Sequence, residues 1–142
     1  MEATMNAGNG IEQRIGDLDV ENATIVLGPE GSNSATLLAS IVDVAGKGDK
    51  LIGATINGKP AQIFANGTIA QSLDVKPNAS VQLGWGAPNY VNSYELSVPI
   101  SNYVPVELAF ERNGILKMSL LTVAPVGQYE GIAPSPTAPA AP

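Results

Sequence analysis

Val104-Pro105-Val106-Glu107-Leu108-Ala109-Phe110-Glu111-Arg112, then Asn113-Gly114, then Ile115-Leu116-Lys117-Met118-Ser119-Leu120-Leu121-Thr122-Val123, is the stretch that decides the fold. Val104, Val106, Leu108 and Phe110 occupy alternate positions, with Glu107 and Glu111 on the other parity. Extended backbone sends successive side chains to opposite faces, so this period of two predicts an antiparallel strand with one dry face. Asn and Gly both tolerate positive φ, and Asn113-Gly114 therefore predicts a tight hairpin turn. On the return run Leu116, Met118 and Leu120 supply the matching apolar face.

The same grammar repeats outward. Asn57-Gly58 separates a run at 51–56 from one at 60–65, and Asn66-Gly67 separates the latter from 68–75, which reads as a three-strand meander. Further strands fall at 20–27, 35–43, 80–85 and 90–98. The total is about nine, with turn signals roughly every eight to twelve residues, the spacing of a sandwich or barrel. No stretch carries a sustained helical period, and no fixed-length repeat occurs. The expectation is an all-β fold, an antiparallel Greek-key sandwich.

Residues 1–16 are polar and aperiodic and read as a flexible lead-in. The opening Met1-Glu2-Ala3-Thr4-Met5 reads as an initiator methionine joined to a sequence from which a leader was trimmed. Residues 124–142 hold Pro125, Pro134, Pro136, Pro139 and Pro142 among Ala, Ser and Thr, a composition that favours an extended, disordered tail. The folded domain is then 17–123.

The inventory excludes several functions. The chain has 142 residues and a net charge of −6, from 13 acids against 7 bases, which disfavours nucleic acid or an anionic surface unless a basic patch overrides the mean. Lys47, Lys50 and Lys59 come nearest to such a patch, but Asp43 and Asp49 stand among them. There is no His and no Cys, which removes the usual general base and thiol nucleophile, and any disulfide. The expectation is a non-enzyme without a cofactor. A Ser–Lys or carboxylate pair would be the remaining route to catalysis. No apolar run approaches the roughly 20 residues that span a bilayer.

Asp17-x-Asp19-x-Glu21 would place three carboxylates on one strand face. That pattern has two readings, a calcium site and a solvated edge whose like charges discourage pairing; the edge is the simpler one. Of the three sulfurs, Met1 and Met5 fall in the lead-in, and Met118 alternates with Leu116 and Leu120 as a core filler. Gly28-Pro29-Glu30-Gly31 and Gly46-Lys47-Gly48-Asp49 lead into no helix, so they read as turns and not as phosphate loops. The sequons at Asn22, Asn66 and Asn78 read as chance. Trp85, Tyr90, Tyr94 and Tyr103 form an aromatic group among Gly and Pro. Aligned with Val81 and Leu83, Trp85 reads as core. Tyr90, Tyr94 and Tyr103 suit either core or a partner surface, since rigid amphipathic rings are favoured at contacts.

Several segments resemble periplasmic PCu(A)C-type copper chaperones: Asp49-Lys50-Leu51-Ile52-Gly53-Ala54 their "DRLVGV" segment, Leu73-Asp74-Val75-Lys76-Pro77-Asn78-Ala79-Ser80-Val81-Gln82-Leu83 their "L-x-V-x-P-x-G-x-V-x-L" strand pair, and Val104 to Glu111 their "V-P-L-T-L-x-F-E" strand. The resemblance covers roughly residues 18–125 and implies a cupredoxin-like sandwich. The family's His-x-Met would fall at Tyr90-Val91-Asn92-Ser93-Tyr94-Glu95-Leu96-Ser97, where neither residue type stands, so no copper ligand carries over. The chain is also similar to actinobacterial LpqE-like lipoproteins, which share the sandwich without those ligands. That resemblance implies a lipid tether to the outer face of the cytoplasmic membrane and an envelope or membrane protein partner, with a link to respiratory complexes. A metal chaperone with unconventional ligands is the alternative.

Overall fold

The computed structural model describes residues 11–28, 33–84 and 87–124, which form twelve strands and no helix. In chain order these are β1 (Ile11–Ile15), β2 (Leu18–Leu27), β3 (Ala35–Asp43), β4 (Asp49–Ile56), β5 (Lys59–Pro60), β6 (Gln62–Ala65), β7 (Thr68–Ala70), β8 (Leu73–Val75), β9 (Ser80–Leu83), β10 (Tyr90–Ser93), β11 (Tyr103–Phe110) and β12 (Gly114–Val123). Trp85, Met1, Met5, most of the expected lead-in and residues 125–142 lie outside the described residues.

β11 and β12 pair antiparallel from Tyr103↔Leu121 to Phe110↔Gly114. Their inner face is the one the alternation predicted: Val104, Val106, Leu108, Phe110, Leu116, Met118 and Leu120 are all buried. They join one core with Leu18, Val20 and Ile25 of β2, Leu37 and Ile41 of β3, and Leu51 and Ile56 of β4. Burying side chains of this size stabilises by roughly 1.5–3 kcal/mol each, which is why register is strictly set here. The β11–β12 turn is looser than expected. Glu111-Arg112-Asn113 form a three-residue loop, and only Gly114 takes positive φ, at 92°. The two other Asn-Gly pairs behave as predicted. Asn57-Gly58 sits at φ 56° and 80°, and Asn66-Gly67 at 53° and 80°, each between directly paired strand residues.

One layer carries β5, β4, β8 and β11; the other carries β1, β2, β3, β9, β10, β6 and β7. β12 belongs to both, running from β11 to a parallel pairing with β2 at Thr122↔Ile25 and Val123↔Val26. The expected antiparallel arrangement fails at this pair. Thr122 N donates to Asn102 O at 2.8 Å, which ends the match to β11, and Thr24 Oγ1 donates to Leu121 O at 2.8 Å, which holds β12 against β2.

Two other expectations are corrected. The meander across 51–75 does not form: β4 and β5 make one hairpin, whereas β6 and β7 make another in the opposite layer, and β8 returns to β4. Ala61 N still donates to Ala54 O of β4 at 2.9 Å, and the chain then crosses the sandwich to β6, which begins at Gln62. The lead-in expected over 1–16 stops short of Ile11, because Ile11–Ile15 pairs with β2 through Arg14↔Asp19 and Ile15↔Leu18. The charged Glu12 and Arg14 masked an alternation that leaves Ile15 packed against the core.

Candidate functional site

Tyr90 and Tyr94 come together at β10. Tyr90 pairs with Phe64 across the β10–β6 ladder, and the two rings stack with centroids 4.6 Å apart. Asn92, buried between the two tyrosines in sequence, donates from Nδ2 to Tyr94 Oη at 3.0 Å. Burial pushes the Tyr94 phenol above its ordinary pKa; the Asn92 donor opposes that rise, and the nearby Tyr90 adds to it. Asn92 Oδ1 and Gln62 Oε1, on directly paired residues, are buried and meet no donor among the described residues. Tyr103 stands apart: it opens β11 in the other layer and is 66% exposed. Composition and spacing singled out the tyrosines, whereas the paired amides of Gln62 and Asn92 emerge only from the β6–β10 register.

Two carboxylates organise the loops around β4. Asp43 accepts from Gly48 N at 2.9 Å, Asn78 N at 3.0 Å and Ala45 N at 3.1 Å. The Gly48 amide foremost holds its pKa below the ordinary value, against the opposing effect of burial, with Asn78, Ala45 and Gly46 helping. Asp49 accepts from Lys50 N at 2.7 Å, Arg112 N at 2.8 Å, Asn113 N at 3.1 Å and Asn113 Nδ2 at 2.7 Å. Burial pushes Asp49 up, but these donors outweigh it and the net direction is down. This capture of the Arg112 and Asn113 amides is the physical reason the β11–β12 turn opens to three residues. Both acids thus serve as loop anchors, a role the Gly-Lys-Gly-Asp segment signalled only as a turn.

The Asp17, Asp19, Glu21 trio is not gathered. Asp17 lies in the β1–β2 turn, before the strand alternation begins, and its Oδ2 meets Arg112 Nη2 at 3.2 Å. Glu12 takes its place beside Asp19 and Glu21, with ligand-capable oxygens within 4.8 Å of one another, and Arg14 Nη2 already sits 3.4 Å from Asp19. Met118 is buried in the core at 5% exposure. Lys47, Lys50 and Lys59, the nearest approach to a basic patch in the sequence, are separated by the fold. Lys59 reaches Glu95 at 3.8 Å, while Lys76 and Arg112 join Lys47 and Lys50 around a cleft of about 330 Å³.

No protein-family model matches this chain, and no curated protein does. Among solved structures it is similar to the "Copper-bound PCuAC domain from PmoF2", at 21% identity and TM-score 0.71 over 81% of this chain and 99% of that one. It is similar to the "Apo PCuAC domain from PmoF1", at 20% identity and TM-score 0.72 over 81% and 100%. The solution structure of apo-DR1885 from Deinococcus radiodurans matches at 14% identity and TM-score 0.54, over 86% and 89%. The fold is therefore PCuAC-like and cupredoxin-like.

Proposed function

We propose that this chain is a non-catalytic binding domain that uses the PCuAC-like sandwich as an accessory module on the cell-envelope side. The observation that carries the reading is the side-chain inventory set on that fold: no His, no Cys, and a described methionine that is buried in the core. A soft cation finds no thiolate or imidazole here, and copper(I) selects such ligands together with thioethers. Proton transfer near neutrality lacks its usual imidazole or thiol as well. Asp43 and Asp49 are held as anions by backbone donors, so neither is poised to shuttle a proton. What the chain offers at β10 is Tyr90 and Tyr94, half-buried rigid rings with polar tips.

The LpqE-like resemblance adds the setting. In this reading the native protein is lipid-tethered to the outer face of the cytoplasmic membrane and contacts a membrane or envelope protein, with respiratory complexes as the first candidates. The test is capture of membrane proteins on the lipidated, tagged protein compared with its Tyr94→Ala variant. A reproducible partner recovered by the first and depleted with the second supports the reading. Recovery that ignores the substitution removes the tyrosine surface. The copper-bound neighbour favours one rival, a metal carrier with unconventional ligands. Calorimetric titration with copper(I) decides it: saturable binding tighter than millimolar establishes the carrier, and its absence leaves the binding module.

A further inference from the structure

The chain carries 13 acids against 7 bases, yet four of the seven bases meet at one place. Lys47, Lys50, Lys76 and Arg112 line the cleft of about 330 Å³ beside β8, with Asp49, Asp74 and Glu111 as its acids. The local balance of cations to carboxylates is thus the reverse of the chain's. Asp49 is turned to the Arg112 and Asn113 amides, and Arg112 is engaged by Gly48 O at 2.8 Å and by Asp17. Lys47, Lys50 and Lys76 make no ion pair among the described residues, even though Lys50 lies directly opposite Asp74 in the β4–β8 ladder.

A second cavity of about 560 Å³ shares Lys50, Asp74 and Lys76 with the first and continues between β8 and β9. Its remaining polar lining is uncharged: Asn66 and Asn89 amides with Ser72 and Ser80 hydroxyls. An ammonium-lined cleft adjoining an amide- and hydroxyl-lined one, with Lys50, Asp74 and Lys76 on both, matches a ligand with an anionic head and a hydroxylated body. Lysine ammoniums bind phosphate as point charges, and amides and hydroxyls can both donate to and accept from an alcohol.

We infer that these joined clefts bind a phosphate ester of a polyol, with the phosphate at Lys47, Lys50 and Lys76 and the hydroxyls toward Ser72, Ser80, Asn66 and Asn89. The site uses none of the tyrosines, so it stands or falls apart from the proposed partner surface.

The experiment is an amide-resolved NMR titration of the full chain with glycerol 3-phosphate, inorganic phosphate and glycerol, joined to sedimentation with phosphatidylcholine vesicles that contain or lack phosphatidylinositol. Glycerol 3-phosphate is expected to shift Lys50, Asp74, Lys76, Ser72 and Asn89 saturably, inorganic phosphate only the lysine cleft, and glycerol nothing. Adding salt should weaken the response, because the lysines are exposed to screening. Lys50→Gln with Lys76→Gln should weaken binding about tenfold or more while the spectrum stays folded; each tenfold is about 1.4 kcal/mol. Binding to phosphatidylinositol vesicles alone, lost in the double variant, assigns the ester to a lipid headgroup; binding of the soluble ester assigns a free ligand. No saturation by either probe into the millimolar range overturns the site. Binding that survives the double variant overturns it as well.

Discussion

Around β4, Asp43 accepts three hydrogen bonds and Asp49 four, six of them from backbone amides, among them those of the distant Asn78, Arg112 and Asn113. On the β6–β10 pair, Gln62 and Asn92 each keep an oxygen that no donor meets among the described residues. The first region spends its polarity holding loops in place. The second leaves polarity unspent beside two tyrosines. A buried polar group without a partner costs stability, so a saturated cluster reads as architecture and an unsaturated one as a place the fold can give up without loss. Substitutions that separate these two roles test the distinction.

The largest effect belongs to Asp49. Asp49→Ala strands the Arg112 and Asn113 amides and the Asn113 side chain, and leaves the β11–β12 turn tied to the start of β4 only through Glu111 N to Lys50 O and Arg112 to Gly48 O. Hydrogen bonds to charged groups are worth about 1.5–3 kcal/mol, so a loss on the order of 2 kcal/mol in urea denaturation is expected. A change close to zero would mean that the carboxylate merely decorates a turn set by Gly114.

Acid should expose the same architecture. The folded pKa values of Asp43 and Asp49 lie below the ordinary 3.8, so the unfolded chain takes up protons first as pH falls. Their contribution is therefore fully present above that ordinary value and is lost as pH drops through the lowered folded values. The urea midpoint should hold from neutrality to about pH 5 and then decline. In Asp43→Asn the decline should be shallower, and the gap to the parent should narrow toward low pH. A gap that widens on acidification would contradict the assigned direction.

The sandwich was legible because its core strands alternate: Val104 to Phe110 and Leu116 to Leu120 could bury a face in only one register. The turns at Asn57-Gly58 and Asn66-Gly67 were legible because their φ values need those residues. The crossing at Ala61 and the parallel β12–β2 contact were hidden, since each depends on which layer a short strand joins, and local pattern is silent on that. The site was legible in part. Tyrosine type and spacing marked Tyr90 and Tyr94. Nothing local joins Asp49 to Arg112 across 63 positions, so the anchors and the lysine cleft beside them appear only once the chain is folded. For the same reason Asp17 looked like a strand residue and proved to be a turn residue facing Arg112.

The smallest expected effect on stability is at Asn92, and it is the sharpest probe of the comparison. Leu nearly matches Asn in shape, and Asn92→Leu removes an oxygen that no described residue satisfies along with the amide donor to Tyr94 Oη. Losing an unmet acceptor is favourable and losing the donor is unfavourable, so the net change should stay within about 1 kcal/mol. The phenol reports the loss separately. Asn92 holds the Tyr94 pKa down against burial, and without it the ionisation should move further up in an ultraviolet pH titration, with Tyr94→Phe identifying its contribution. Near-parental stability with a raised Tyr94 ionisation would mark Asn92 as a residue the fold can do without. A stability loss as large as that of Asp49→Ala would make β10 architecture too, and the partner surface would have to be sought elsewhere on the sandwich.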